Sequence, residues 1–155
     1  MQPRIKQPAM IVPGAFEAIM ALAKSVEKCG VPRATLELMN MRASQINGCS
    51  VCLDLHSRAL KKIGEKDERI IAVAAWREAP YYSDAERAAL ALAEAATRLN
   101  DRGDPVPDEI WSEAARHYSE VALGALIVSI GLINLWNRLN AATHQVGGEW
   151  TAEYA

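Results

Sequence analysis

The sequence predicts an all-α fold in a single domain. Three observations carry this. Apolar residues recur at helical spacing, alternating strand patterns are nearly absent, and Gly or Pro marks most element boundaries. A chain of 155 residues can build one sizeable core. It has no internal repeat, low-complexity run or linker, so residues 1–155 read as one domain.

The first helix is expected from about Pro13 to Cys29, with Phe16, Ile19, Met20, Ala23 and Val26 on one stripe and Gly30 as its stop. Pro32 suits the start of a second, which turns Leu36, Met39 and Ala43 inward and ends near Asn47-Gly48. A third begins about Cys49 and ends at Gly64. Asp67 caps a short fourth reaching Trp76, and Pro80 follows. Ser83-Asp84-Ala85-Glu86 is a capping box. It opens an alanine-rich fifth helix to about Asn100, with Glu94 and Arg98 as an i,i+4 pair on its outer face. A loop from Arg102 to Pro107 precedes a short helix from about Asp108 to His117. Ser119 caps the last helix, apolar nearly all round and running to about Thr143. That makes about seven helices. The tail, about residues 145–155, has Gly147-Gly148 and no periodicity, and reads as a loosely ordered C-terminal arm.

Half of the residues are apolar and 23% are charged, an ordinary globular composition. The net charge is −2 and no basic block occurs, which argues against nucleic acid and against an anionic membrane surface. The segment Met1 to Pro8 lacks the apolar core of a secretory signal. The apolar stretch from Val121 to Trp136 is interrupted by Gly124, Ser129, Gly131 and Asn134. It is shorter than the ~18–20 residues of a membrane span. It reads as a buried helix, and the expected compartment is the cytoplasm. Such a helix needs cover on every side, so self-association through it or through the alanine-rich helix is expected.

The chemistry concentrates between Ser44 and His56. Of three cysteines, Cys49 and Cys52 lie two residues apart at the start of a helix. In a reducing compartment such a pair points to redox or metal chemistry. The spacing brings both sulfurs to one face, where a small-ring disulfide can form. The free amides at a helix start favour a thiolate, lowering a thiol from its usual ~8.5. His56 follows Cys52 by four residues, one turn on along the same face, where it can serve as the base that a thiol nucleophile needs. If the helices on either side of Asn47-Gly48 form an antiparallel hairpin, position 37 faces position 57. Glu37 and His56 then each lie about 13–15 Å from the turn, and the carboxylate can hold the imidazole's second nitrogen. A thiolate in such a relay attacks peroxide, forms a sulfenic acid, and condenses with the second cysteine. An external dithiol reduces the resulting disulfide. Helix-start logic favours Cys49 as the acidic thiol and the i,i+4 base favours Cys52. The reading leans to Cys52 as the peroxide-reactive thiol and Cys49 as the resolving one.

This constellation resembles the AhpD-like, or carboxymuconolactone decarboxylase-like, superfamily, specifically its alkylhydroperoxidase AhpD core. The resemblance runs over most of the chain. It takes in Glu37, eleven residues, Cys49, two residues, Cys52, three residues and His56, preceded by Arg42-Ala43-Ser44-Gln45-Ile46-Asn47-Gly48. Trp76-Arg77-Glu78, Ser83 to Leu90 and Ile133 to Leu139 extend it. The resemblance implies an all-helical homotrimer or homohexamer with peroxidase and disulfide-reductase activity. It also implies electrons from a lipoylated protein partner; a thioredoxin-like donor is the other expected reductant, and no cofactor or metal is expected. Catalytic roles carry over to Glu37, Cys49, Cys52 and His56. One departure is Val51, where AhpD has a histidine. The decarboxylase branch does not use the cysteine pair, so Cys49 and Cys52 argue against that activity.

Blander readings stand beside these. Cys49, Cys52 and His56 could hold zinc or form a redox sensor without turnover. Cys29 is expected to be a thiol without a role. His117 and His144 read as helix C-terminal cations. Asn134, Asn137 and Arg138 read as hydrogen-bonding groups that fix packing, and Trp76, Trp111 and Trp136 as core or interface anchors.

Overall fold

The computed structural model describes residues 1–99 and 103–148. The expected end of the fifth helix at Asn100 and most of the expected C-terminal arm lie outside the described residues. Among those described there are eight α-helices, one 3-10 turn and no strand. The helices are α1 Pro8–Ile11, α2 Ala15–Val26, α3 Arg33–Asn47, α4 Ser50–Lys62, α5 Asp67–Ala72, α6 Asp84–Thr97, α7 Asp108–His117 and α8 Glu120–Thr143, with the 3-10 turn Val73–Ala75 extending α5.

The extra helix is α1, which corrects the expected seven to eight. It forms because Pro8 presets the first helical position and the Gln7 side chain accepts from the Ala9 amide. Gly14 then adopts a left-handed conformation, so the following helix begins at Ala15 rather than Pro13. The Ser83–Glu86 capping box is present in both directions, and Ser119 accepts from the Ala122 amide at 3.3 Å. At the end of α3, Gly48 sits at φ 66°, a conformation that favours glycine. Its amide and that of Cys49 return to the carbonyls of Gln45 and Ser44. This tight reversal folds α3 and α4 into a helical hairpin.

The main core lies between α3, α6 and α8, where Met39, Ala89, Leu92, Ala93 and Leu126 are almost wholly buried. The small side chains of α6 let its neighbours approach closely. Leu38, Leu60, Val73 and Leu90 form a second cluster under α5. A third, smaller one joins Ala43, Cys49, Val51, Cys52 and Ile133. By length and hydropathy the 24 residues of α8 could cross a membrane, yet 56% of its apolar window is buried inside the bundle. Ser129, Asn134, Asn137 and Asn140 are buried along it as well. It is the central helix of the core.

Glu94 is a correction. It does not lie on an outer face but is 4% exposed. It accepts from Arg42 (2.6 Å), Trp76 Nε1 (3.0 Å), Arg77 (2.6 Å) and Arg98 (3.3 Å). Three guanidiniums and an indole satisfy its lone pairs, which is what permits burial. Burial pushes its carboxyl up, but the hydrogen bonds from Arg77, Trp76 and Arg42 outweigh this and hold it at about 2.

The start of the expected arm is packed rather than loose. The Gln145 side chain donates to Ile5 O at 2.9 Å. A Cβ on Gly147 would come within 2.9 Å of Ser50 O, so only glycine fits against the start of α4.

Candidate active site

Cys49 is the residue immediately before α4, and Cys52 lies one turn into it. Their sulfurs are 3.1 Å apart. Both are free thiols, 4% and 5% exposed. Closing that gap to the ~2.05 Å of a disulfide needs a movement of about 1 Å. The pair shares its protons unevenly. The Cys52 thiol and backbone amide, with Asn140 and Asn137, draw Cys49 down to about 6 against the opposing effect of burial. Cys52 moves upward because it donates to Cys49, because it is buried and because a charge on Cys49 repels a second one. The negative charge of the reduced pair therefore rests on Cys49 and the proton on Cys52.

His56 projects one turn beyond Cys52. Its Nδ1 meets Glu37 Oε2 at 2.7 Å across the α3–α4 hairpin, with both side chains largely buried. The mirror relation about residue 47 holds as expected. With Nδ1 donating to the carboxylate, Nε2 is left as the basic nitrogen. A cavity of about 190 Å³ opens on Cys52 and His56, walled by Phe16, Met20, Ile133 and Trp136. Cys49 borders a different opening, formed with Gly48, Ser50, His144 and Val146. Each sulfur is thus approached from its own side.

The four residues singled out from the sequence are gathered here. Val51 is 2% exposed and forms apolar wall where the resemblance led to a histidine. Trp136 packs edge-on to Phe16 at 6.4 Å and borders the cavity, whereas Trp76 is core and Trp111 is half exposed. Cys29 lies outside the site and donates to Ser25 O. His117 pairs with Glu113 near the end of α7, and His144 caps α8 in a left-handed conformation. Among the described residues no three His, Cys, Asp or Glu side chains are grouped to hold a metal ion.

Sequence reasoning missed Asn140. Its Nδ2 donates to Cys49 Sγ at 3.4 Å and to Cys52 Sγ at 3.3 Å. Behind it, Asn47 Nδ2 donates to Asn134 Oδ1 and Asn137 Oδ1 (3.0 and 2.8 Å), and Asn137 Nδ2 donates to Ser44 Oγ. The signal was available: asparagine at 134, 137 and 140 repeats at a three-residue interval on an otherwise apolar helix.

An all-helical bundle with a Cys-x-x-Cys at a helix start, faced by a histidine–carboxylate pair, defines a class of thiol-bearing helical domains. Comparison with known proteins agrees. The chain belongs to the carboxymuconolactone decarboxylase family, which it matches over residues 13–95. It is 37% identical to the uncharacterised YdfG of Bacillus subtilis, over 85% of this chain and 88% of that one. A segment covering 31% of this chain is 42% identical to the alkyl hydroperoxide reductase AhpD of Methylobacterium, spanning 27% of that protein. Among solved structures, the fold matches a protein of unknown function from Agrobacterium tumefaciens, suggested to be the antioxidant defence protein AhpD. That match has a TM-score of 0.86 and 33% identity, and covers 96% of this chain and 99% of that one. The debrominase Bmp8 shares the fold at a TM-score of 0.79 and 24% identity, over 92% and 75% of the two chains. The AhpD-like fold is therefore that of this chain, and the family includes peroxidase-related members.

Proposed function

We propose that this protein is a thiol-dependent alkyl hydroperoxide reductase that cycles Cys49 and Cys52 between dithiol and disulfide. The observation that supports it most is the site itself: two free sulfurs 3.1 Å apart beside His56 and Glu37, opening on an apolar cavity. The peroxide enters that cavity with its alkyl group against Phe16, Ile133 and Trp136. Cys52 Sγ attacks the peroxide oxygen. As the S–O bond forms and the O–O bond breaks, His56 takes the Cys52 proton and passes it to the departing alkoxide, which leaves as an alcohol. Glu37 stabilises the imidazolium that forms in between. Cys49, already a thiolate near neutral pH, attacks the Cys52 sulfenic acid. An S–S bond forms and hydroxide leaves, becoming water with a proton that His56 relays from a hydronium or buffer acid of the solvent.

Reduction reverses the pair's oxidation. A dithiol attacks Cys52 and displaces Cys49, whose low pKa makes it the better leaving group. The second thiol of the donor then closes its own disulfide. A lipoylated or thioredoxin-like protein fits this two-electron exchange, in a reducing cytoplasm. The protein works as a homotrimer or homohexamer. Val121, Ile127 and Leu135 leave apolar surface exposed on α8, which self-association would cover.

The test is turnover. Reduced protein is given cumene hydroperoxide with either dihydrolipoamide or a reduced thioredoxin-like donor, and alcohol formed per protein is counted. Many alcohols per protein are expected with at least one donor. A single equivalent with both would replace this reading with a redox sensor that does not turn over.

A further inference from the structure

We propose that Gln7 is a positioning residue for the cysteine pair, fixing the Asn140 amide so that its nitrogen, and not its oxygen, faces both sulfurs. The inference rests on the pair being the reacting group. An asparagine amide has two ends of opposite polarity and nearly equal shape. Turned one way Asn140 donates to a thiolate. Turned the other way it sets a carbonyl oxygen against the charge.

The structure shows what decides between them. Gln7 Oε1 is committed to the Ala9 amide at the start of α1, at 3.5 Å. That presents Gln7 Nε2 to the other side, where it donates to Asn140 Oδ1 at 2.5 Å. With Oδ1 occupied, Asn140 Nδ2 faces Cys49 and Cys52 at 3.4 and 3.3 Å. Both amides are buried, at 8% and 4% exposure, so water does not offer a substitute partner. A strap holds Gln7 there. Arg4 N donates to Thr143 O (2.8 Å), Arg4 Nη1 to Ala142 O (3.0 Å), and Gln145 Nε2 to Ile5 O (2.9 Å). The amino-terminal segment, 133 residues from Asn140 in sequence, thereby sets the polarity around the sulfurs.

The titratable and charged groups about the pair are His56 with Glu37 behind it, His144 at the end of α8, Met1 with its amino terminus at the Cys49 opening, and Arg4 of the strap. Gln7 and Asn140 are neutral. They steer the thiolate by orientation alone, and a deletion of either acts without removing a charge.

The experiment is a pH titration of thiolate ultraviolet absorbance on the reduced protein, without peroxide. It compares wild type, Gln7→Glu, Gln7→Met, Asn140→Leu and the two double variants. Gln7→Glu places an acceptor against Asn140 Oδ1 and turns the amide around. Losing a hydrogen bond to a charged sulfur should raise the first thiol ionisation by about one to two pH units. In the Asn140→Leu background only the through-space effect of the new carboxylate remains, so the shift should fall to half or less. Gln7→Met should raise the ionisation by a smaller amount, and by none in that background. Circular dichroism checks that each variant keeps its helices, and the neutral Gln7→Met keeps the test valid where the charged variant loosens the strap. Equal shifts with and without Asn140, or no shift from either Gln7 variant, would overturn the proposal. Because no peroxide is used, a protein that titrates as expected but does not turn over would remove the reductase reading and leave this one standing.

Discussion

Replacing Glu37 by glutamine isolates the relay. The substitution is close to isosteric, and the new amide oxygen still accepts from His56 Nδ1. The tautomer is kept and only the charge is lost. Glu37 Oε2 lies 2.7 Å from Nδ1, with side-chain exposures of 15% and 13% for the two residues, so the contact is poorly screened. Hydrogen bonds to charged groups contribute about 1.5–3 kcal/mol. At 1.36 kcal/mol per factor of ten, peroxide reduction near neutral pH should slow by ~10–150-fold. The variant also loses the Arg33–Glu37 contact of 3.6 Å, but Arg33 is two-thirds exposed and this affects stability little. The assay is the pH–rate profile of peroxide-dependent thiol loss for both proteins. The deficit should shrink as pH rises, because hydroxide then deprotonates Cys52 without help. Superimposable profiles would remove Glu37 from the relay and with it the functional meaning of the α3–α4 hairpin.

Other consequences follow from the same geometry. Reduced wild-type protein should show a thiolate that appears as pH rises through about 6 and is missing in Cys49→Ser, since the Cys52 thiol and amide draw Cys49 down. Disulfide closure should accordingly slow below that pH, when Cys49 is protonated. Glu94 is held at about 2 against an ordinary 4.5. A depressed carboxyl stabilises the fold above its unfolded value, and that contribution, at most ~3 kcal/mol, disappears as pH falls from about 4.5 toward 2. Urea midpoints should therefore drop with acid in wild type and change less in Glu94→Gln. Sedimentation should find a trimer or hexamer at micromolar concentration, and a monomer would contradict the self-association inferred from α8.

The helices and the α3–α4 hairpin were legible because their signals are local. Gly48 stops α3, Ser83 and Ser119 cap α6 and α8, and counting back from the turn places Glu37 opposite His56. Long-range pairings were not legible. Glu94 and Arg98 satisfy an i,i+4 rule that suggests a solvated face, but Arg42 and Trp76, from two other elements, draw the carboxylate inside. Helix α1 was missed because four residues carry too little periodicity, and it depends on a cap whose acceptor Gln7 is anchored to α8. Asn140 was passed over for the same reason. Its neighbours Asn134 and Asn137 suggested packing, and only the folded chain brings position 140 onto two sulfurs 88 and 91 residues earlier.

The decisive measurement is mass spectrometry after a single peroxide pulse on wild type, Cys49→Ser and Cys52→Ser. Wild type should carry one Cys49–Cys52 disulfide with Cys29 free. Cys49→Ser should accumulate a sulfenic acid on Cys52, with no partner to resolve it, and Cys52→Ser should stay unoxidised at the wild-type timescale. A principal disulfide through Cys29, or rapid sulfenic acid on Cys49 when Cys52 is replaced, would contradict it.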